Sequence, residues 1–188
     1  AGTYIIGILA TKGEGIVKNI IPEHLDALWF VLEKTGAIVK KGKNEVEIKS
    51  PDKWYGCDIN VLPYPGFPTD LQPQILVYLS LADGSSTVTE NVFKTRFAHV
   101  AELVRMGANM KIIENTVFIN GVEKLYGTTV MGTDLRATAA LVIAGLAAED
   151  RTEVTSVEHI FRGYENVIEK FSKLGASIKY IPGGVPEI

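Results

Sequence analysis

Two Thr-Asp pairs, Thr69-Asp70 and Thr133-Asp134, recur 64 positions apart (69 to 133), each shortly after a glycine and just before an apolar run. Such side chains cap the free backbone amides at a helix start, so each pair predicts the beginning of a buried helix. A helix start carries exposed N–H groups and a partial positive charge, which favour a bound anion. Because Arg136 closely follows the second pair, we predict a functional, anion-binding surface at these two helix starts.

Arginine is scarce in this chain, and its positions favour the same surface. The arginines are Arg96, Arg105, Arg136, Arg151 and Arg162. We predict that Arg96, Arg136 and Arg162 lie at helix starts, and we interpret the other two as plain surface residues. Taken alone, Arg96 and Arg162 are each explained as solvated surface charges, and either aspartate is better explained as an ordinary helix cap. The coincidence of three arginines at helix starts that we expect to face one another favours an anion site.

Composition and charge argue against several classes of function. With 188 residues, 46% of them hydrophobic, the chain can bury its own core without disulfides or metals. The net charge of -3 and the scattered lysines form no basic stripe, so no nucleic-acid partner is expected. No apolar run reaches the length of about 18 residues that suggests a membrane span. A single cysteine, Cys57, excludes an intrachain disulfide and suits the reducing cytoplasm, which is the expected location.

No metal site and no cofactor are predicted. His24, His99 and His159 show no ligand spacing, and Cys57 is interpreted as a small buried residue. The chain also lacks a Walker loop, a dinucleotide fingerprint and a nucleophile-elbow motif. We therefore expect chemistry that needs no cofactor.

Three segments share one pattern, which predicts a repeated α/β unit. In each, an amphipathic stretch precedes a glycine and an alternating stretch follows it, and these glycines, Gly36, Gly107 and Gly175, lie 71 and 68 positions apart. The pattern is typical of a helix, a glycine C-cap and a strand, and a further helix and strand precede it each time. We predict three units, about residues 1–62, 63–127 and 128–182, with sheets outside and helix starts converging at one end.

Individual elements follow from the same signals. We expect helices over 3–11 and 23–35, the second opened by Pro22, and further helices beginning at Thr69 and Thr133. Hairpins are predicted over 39–48 and 110–118, and single strands over 58–62, 87–89 and 178–180. The chain begins Ala1-Gly2-Thr3 without methionine and becomes apolar at once, so we expect one domain of a longer protein.

Six ordered motifs carry a resemblance to a known family. They are Phe67-Pro68-Thr69-Asp70, Phe93-Lys94-Thr95-Arg96-Phe97, Arg105-Met106-Gly107-Ala108, Gly121-Val122-Glu123-Lys124-Leu125, Thr133-Asp134-Leu135-Arg136-Ala137 and Arg162-Gly163-Tyr164-Glu165. Over nearly its whole length the chain resembles the C-terminal part of the enolpyruvyl transferases that act on UDP-N-acetylglucosamine in peptidoglycan synthesis. The resemblance implies an α/β (α+β) fold, an inside-out barrel of three βαβαββ repeats that faces a partner domain across the active-site cleft. It also implies that the partner domain and a short N-terminal segment lie outside this chain, which alone would be inactive.

The resemblance further implies a reaction and roles for individual residues. The enolpyruvyl group of phosphoenolpyruvate would move to the 3-hydroxyl of UDP-N-acetylglucosamine, with release of phosphate. Asp70 matches the general base for that hydroxyl, and Asp134 matches a residue that orients its surroundings. The residues that match substrate-binding positions are Thr69, Asp70, Val92, Phe93 and Asp134. The arginines that match those holding the phosphate and carboxylate of phosphoenolpyruvate are Arg96, Arg136 and Arg162, because a planar guanidinium group suits anions with two oxygens.

Two features depart from the family pattern. Lys94-Thr95 replaces the usual Glu-Asn before Arg96, and Cys57 does not match the reactive cysteine, which belongs with the active-site lysine to the absent part. Two alternatives stay open at this point. One is transfer to shikimate 3-phosphate, the acceptor of the sister family, and the other is a non-catalytic binding module built on the same repeat.

Overall fold

The computed structural model describes residues 1–183, which form a mixed α/β structure. The helices are α1 (Gly2–Ala10), α2 (Asp26–Thr35), α3 (Gln72–Ser80), α4 (Ala98–Arg105), α5 (Leu135–Ala147), α6 (Ile160–Gly163) and α7 (Val167–Lys173). The strands are β1 (Glu14–Lys18), β2 (Ile38–Lys41), β3 (Glu45–Lys49), β4 (Ile59–Val61), β5 (Ser85–Glu90), β6 (Asn109–Ile113), β7 (Thr116–Asn120), β8 (Thr129–Met131) and β9 (Glu153–Thr155). Short 3₁₀ helices cover Pro22–Leu25, Thr69–Leu71 and Val157–His159. Within these residues no helix has both the length and the apolar character needed to cross a membrane.

Helices α1, α3 and α5 form the centre of the fold and contact one another. Every residue of α3 is buried, and every residue of α1 except Tyr4 is buried. A helix with apolar residues on every face lies in a core rather than at a surface, which explains the position of these elements even though α3 also buries Gln72, Gln74 and Ser80. The expected burial of the helices that begin near residues 3, 69 and 133 is therefore confirmed.

The sheets pack against these central helices. The first is antiparallel with the strand order β1-β3-β2, the second is mixed with the order β4-β5-β7-β6, and β8 pairs in parallel with β9. Burial alternates along the strands, so that β5 turns Ser86, Val88 and Glu90 towards the core. A carboxylate, that of Glu90, thus stands on the buried face at the C-terminal end of β5.

Most predicted elements are confirmed, with shifts at their ends. The two hairpins form as β2–β3 and β6–β7, and Gly36, Gly107 and Gly175 adopt φ values of 101°, 96° and 95° after helices, as the C-caps require. The helix expected over 23–35 is instead a 3₁₀ helix followed by α2, because the backbone leaves helical geometry at Leu25.

The strand predicted over 178–180 is wrong. Residues 176–181 have no regular structure, although Ala176 and Ile178 pack against the core. A strand needs a neighbour for its backbone N–H and C=O groups, and this segment meets no partner strand within residues 1–183. Alternation of apolar and polar residues was therefore not enough to place a strand there.

Gly127 is required by a close approach of two backbone segments. The bridge between Tyr126 and Glu149 brings the chain against the carbonyl group of Arg151, and a Cβ at position 127 would overlap that group. Gly7, inside α1, differs because a Cβ there would lie 3.5 Å or more from its neighbours, at ordinary contact distance.

Gly127→Ala is expected to lower the free energy of unfolding by about 2 kcal/mol, because a rigid backbone carbonyl must move. Gly7→Ala is the matched control, and it should leave stability unchanged or raise it by up to about 1 kcal/mol, because alanine is the better helix former. Urea unfolding of both variants measures the difference. Equal free energies of unfolding for the two variants would contradict the close approach at Gly127.

His99 is a buried side chain to which the sequence assigned no role. It lies on α4 with 1% of its surface exposed, and its Nε2 atom has no hydrogen-bond partner among the described residues. Burial lowers its pKa to about 4, and the nearby Asp134 carboxylate opposes this shift only in part. The folded protein therefore holds a neutral imidazole in its core at neutral pH.

Acidification should destabilise the protein through His99. The unfolded chain takes up a proton near the ordinary pKa of 6.5, whereas the folded state does so only near pH 4. The stabilisation is thus complete above pH 6.5 and falls by about 3 kcal/mol between pH 6.5 and 4. Urea unfolding at several pH values should show a shallower pH dependence for His99→Leu, and the exposed His24→Leu serves as the control. Identical pH dependence in the wild type and His99→Leu would contradict the lowered pKa.

Candidate functional site

Asp134 caps the start of α5, as the sequence predicted. Its Oδ1 atom accepts hydrogen bonds from the backbone N–H groups of Arg136 at 2.8 Å and Ala137 at 3.0 Å. Its backbone oxygen accepts from the Thr138 hydroxyl at 2.7 Å. These bonds fix the backbone of Arg136 in the first turn of α5, with its side chain half-buried.

The prediction that Asp70 caps a helix is wrong. The chain enters the 3₁₀ helix Thr69–Leu71 directly after Pro68, so Asp70 lies within this turn and makes no capping bond. Its carboxylate instead points outward, and Oδ1 pairs with Arg136 Nη2 at 2.5 Å. The Asp70 side chain is 68% exposed and that of Arg136 is 26% exposed. This ion pair joins the start of α3 to the start of α5, so the two Thr-Asp segments do lie together.

The loop between β5 and α4 brings an aromatic ring and a second arginine to the same place. The Arg96 guanidinium carbon lies 4.0 Å from the centroid of the Phe93 ring, and that of Arg136 lies 5.7 Å from it. A cation near an aromatic face is attracted to the negative charge of that face, which offsets part of the repulsion between the two guanidinium groups. Two guanidinium groups, of Arg96 and Arg136, and the Asp70 carboxylate thus lie together at this surface.

Glu90 is a functional candidate that the sequence analysis missed. Its side chain is buried, with 1% exposed, and it accepts hydrogen bonds from Thr69 Oγ1 and from the backbone amides of Val92 and Phe93. The one available signal was its place in the alternation of β5, where a charged residue falls on the face that carries Ser86 and Val88. Without a second signal, that pattern gave no reason to choose this glutamate among the others.

Thr69, Val92 and Phe93 lie around this group at the surface. Thr69 is half-buried, and Val92 and Phe93 are 37% and 41% exposed. Apolar side chains exposed beside two arginines form a surface that can contact both the apolar and the anionic parts of one ligand.

Arg162 is placed differently from the prediction. It lies in the last turn of the short helix α6 rather than at a helix start, because the 3₁₀ helix Val157–His159 runs directly into α6. Its side chain is exposed. The neighbouring Gly163 lies against the side chain of Leu135, the first residue of α5, so Arg162 stands near the same helix start as Arg136.

The described residues offer no metal site and no reactive thiol in this group. Among them, no cluster of three or more His, Cys, Asp or Glu side chains could hold a metal ion. Cys57 is buried, and burial raises the pKa of its thiol. Cys57 therefore fits its interpretation as a small core residue.

Several known proteins are similar to this chain. It is 98% identical over all of its 188 residues to the UDP-N-acetylglucosamine 1-carboxyvinyltransferase of Fervidobacterium nodosum, and it covers 44% of that protein. It is 58% identical over 181 residues to the protein of the same name from Thermotoga petrophila, covering 96% of this chain and 43% of that protein. The chain thus spans less than half the length of these curated relatives.

A solved structure and a family model agree with these relatives. The enolpyruvyl transferase NikO from Streptomyces tendae matches 95% of this chain with a TM-score of 0.86 and 27% sequence identity, over 42% of its own length. The family model described as EPSP synthase (3-phosphoshikimate 1-carboxyvinyltransferase) matches residues 1–171. The resemblance carried by the six motifs is confirmed, and the chain belongs to the EPSP synthase family.

Proposed function

We propose that this chain is one domain of a transferase that moves the enolpyruvyl group of phosphoenolpyruvate to the 3-hydroxyl of UDP-N-acetylglucosamine, releasing phosphate. This reaction is the first committed step of peptidoglycan synthesis, and we assign it to the cytoplasm. The proposal rests on the ion pair between the Asp70 carboxylate and the Arg136 guanidinium, which lies beside Phe93 and Arg96. The names of the relatives that are 98% and 58% identical to this chain support the choice of acceptor.

Asp70 is assigned the role of general base. It would remove the proton from the sugar hydroxyl as that oxygen bonds to the central carbon of phosphoenolpyruvate, whose methylene carbon would take a proton from an acid of the proposed partner domain. The tetrahedral adduct then loses phosphate and a proton from its methyl carbon, which restores the double bond. An ionised carboxylate is a weak base for a hydroxyl proton, so the contribution of Asp70 must come from its placement beside the hydroxyl.

The arginines are assigned to the anionic groups of phosphoenolpyruvate. Arg96 and Arg136 both lie near the Phe93 ring, and Arg162 stands near the same helix start as Arg136, so one ligand could reach all three. Arg136 would then exchange its bond with Asp70 for a bond with the ligand, which leaves the Asp70 oxygen free to accept a proton. Planar guanidinium groups bind phosphate and carboxylate through paired hydrogen bonds.

The remaining site residues are assigned to binding the acceptor sugar nucleotide and to positioning Arg136. Thr69, Val92 and Phe93 would contact the UDP-sugar next to Asp70. Asp134 would act as a positioning residue, because its cap on α5 holds the backbone of Arg136. No cofactor is assigned, since positioned charges and a proton acceptor supply what an addition followed by an elimination requires.

We also propose that the fold is an inside-out α/β barrel built from three βαβαββ repeats, about residues 1–62, 63–127 and 128–182. The burial of α1, α3 and α5 beneath the sheets supports this architecture. A partner domain of the same protein would supply the other side of the cleft, including the reactive cysteine and the lysine, and the isolated chain would be inactive. The chain covers only 44% of the Fervidobacterium relative, which supports the proposal that it is part of a larger protein.

Transfer to shikimate 3-phosphate is the second candidate, because the matching family model carries the name 3-phosphoshikimate 1-carboxyvinyltransferase. Phosphate release by the full-length protein, measured separately with UDP-N-acetylglucosamine and with shikimate 3-phosphate, separates the two acceptors. Release with the UDP-sugar alone is the expected result. Release with neither acceptor would favour a non-catalytic binding module.

Asp70→Asn in the full-length protein should lower kcat for phosphate release by at least about 100-fold, because the amide cannot accept the proton. The fold should be retained, since this side chain is exposed. Asp52→Asn, which changes an exposed carboxylate outside the site, serves as the control and should leave kcat unchanged. Turnover of Asp70→Asn close to that of the wild type would rule out the assigned role.

Arg136→Lys should raise the KM for phosphoenolpyruvate by about tenfold or more, because lysine keeps the charge but loses the paired geometry. The control is Arg105→Lys, which alters an exposed arginine bonded to Glu102 at 3.0 Å. Steady-state kinetics at saturating UDP-sugar measure both variants. Similar KM values for Arg136→Lys and Arg105→Lys would contradict the assignment of Arg136 to phosphoenolpyruvate.

A further inference from the structure

We propose that Glu90 is a positioning residue of this site, whose buried carboxylate sets the affinity for the UDP-sugar by holding its two contact segments in one arrangement. The inference rests on the proposed function and extends it to a residue that does not itself reach the site surface. Glu90 joins the turn that carries Thr69 to the loop that begins at Val92.

The hydrogen bonds of Glu90 divide between these two segments. Oε2 accepts from Thr69 Oγ1 at 2.9 Å, whereas Oε1 accepts from the amides of Val92 at 2.7 Å and Phe93 at 3.1 Å. The backbone of Glu90 is itself held by Asn115. The Glu90 backbone amide donates to the Asn115 backbone carbonyl at 2.8 Å, and the Asn115 side-chain amide donates to the Glu90 backbone carbonyl at 3.0 Å. One buried side chain on a paired strand therefore determines where both segments begin.

The burial of this carboxylate calls for an explanation. A charged group removed from water is costly unless it is paired or fully hydrogen-bonded. Within residues 1–183 no lysine or arginine nitrogen lies within 4.0 Å of Glu90, so its compensation there comes from hydrogen-bond donors. All three partners donate, which suits the acceptor-only carboxylate. An apolar residue, like Val88 two positions earlier, would fill the core without that cost.

The segments held by Glu90 are those on which the proposed chemistry depends. Thr69 precedes Asp70, the assigned base, and Phe93 lies beneath the guanidinium groups of Arg96 and Arg136. Because Glu90 bonds to both segments, it fixes the distance between the base and the loop that contacts the sugar nucleotide. A shift of about 1 Å between such groups is enough to weaken binding and turnover strongly.

Substitution of Glu90 by alanine, aspartate or glutamine separates the effect of its hydrogen bonds from the effect of its charge. Glu90→Ala removes all three bonds, and Glu90→Asp shortens the side chain by about 1.5 Å, so that it cannot reach both segments. Glu90→Gln retains the length, because its oxygen can accept from both amides while its NH2 group donates to the Thr69 hydroxyl oxygen. Positioning therefore predicts that Gln rescues function and Asp does not.

Asp58, which is bonded to Thr87 of the same strand β5, offers a matched control. The Asp58 carboxylate accepts hydrogen bonds from the backbone amide of Thr87 at 2.9 Å and from the Thr87 hydroxyl at 2.7 Å. It thus ties a neighbouring segment to β5 with the same kinds of donors, but at an exposed position away from Asp70 and the arginines. Asp58→Ala should lower stability without changing substrate affinity.

The experiment measures the KM for UDP-N-acetylglucosamine and the thermal midpoint of the full-length protein and its variants, at a temperature where all are folded. The KM should rise by about tenfold or more in Glu90→Ala and Glu90→Asp, which corresponds to about 1.4 kcal/mol, the worth of one such bond. Glu90→Gln and Asp58→Ala should stay within about threefold of the wild type. This pattern would support the inference, because a purely structural role would change the thermal midpoint and leave the KM alone.

The contrary outcomes are distinct. An active wild type with an unchanged KM in Glu90→Ala overturns the positioning role and leaves the proposed function standing. The same follows if Glu90→Gln is as impaired as Glu90→Ala, or if Asp58→Ala raises the KM equally. A wild type that releases no phosphate with either acceptor overturns the proposed function and this inference with it.

Discussion

The contact between α3 and α5 is the constraint on which the candidate site depends. Both helices are too apolar to lie at a surface, so they pack against each other and against α1. Their starts consequently lie side by side, although Asp70 and Arg136 are 66 positions apart in the sequence. The ion pair between Asp70 and Arg136 follows from this packing, since neither helix could turn away without exposing its apolar surface. The chemistry of the surface is thus fixed by the core beneath it.

Much of this arrangement could be predicted because it depends on local signals. Helices that are apolar throughout, glycines after amphipathic stretches and short polar turns between alternating strands each have a local physical cause. Asp134 illustrates this, since a capping carboxylate acts on amides two and three positions ahead and needs no distant partner. The two hairpins and the left-handed glycines were predictable for the same reason.

The failed predictions concern partners that are distant along the chain. Asp70 lies between a threonine and a leucine, as Asp134 does, but it falls within a 3₁₀ turn that follows Pro68, and its partner is an arginine of another helix. The alternation over 178–180 is that of a strand, but among residues 1–183 no neighbouring strand pairs with this segment. Glu90 could not be identified because its donors lie partly in a segment 21 positions away. Local patterns identify an element or a cap, but they do not identify what a side chain meets across the fold.

The exposure of the site explains why its charges can be exchanged between partners. Asp70 is 68% exposed, and an ion pair so close to water contributes little stability, about 0–1 kcal/mol. A ligand anion can therefore take Arg136 from Asp70 at small cost, which the proposed proton transfer requires. The same exposure weakens every electrostatic contact that the transition state would need, because water screens charges far more strongly than a protein interior does. The described residues thus supply the charges of the proposed reaction without the enclosure, and exclusion of water by the proposed partner domain would strengthen each of these contacts at the moment of reaction.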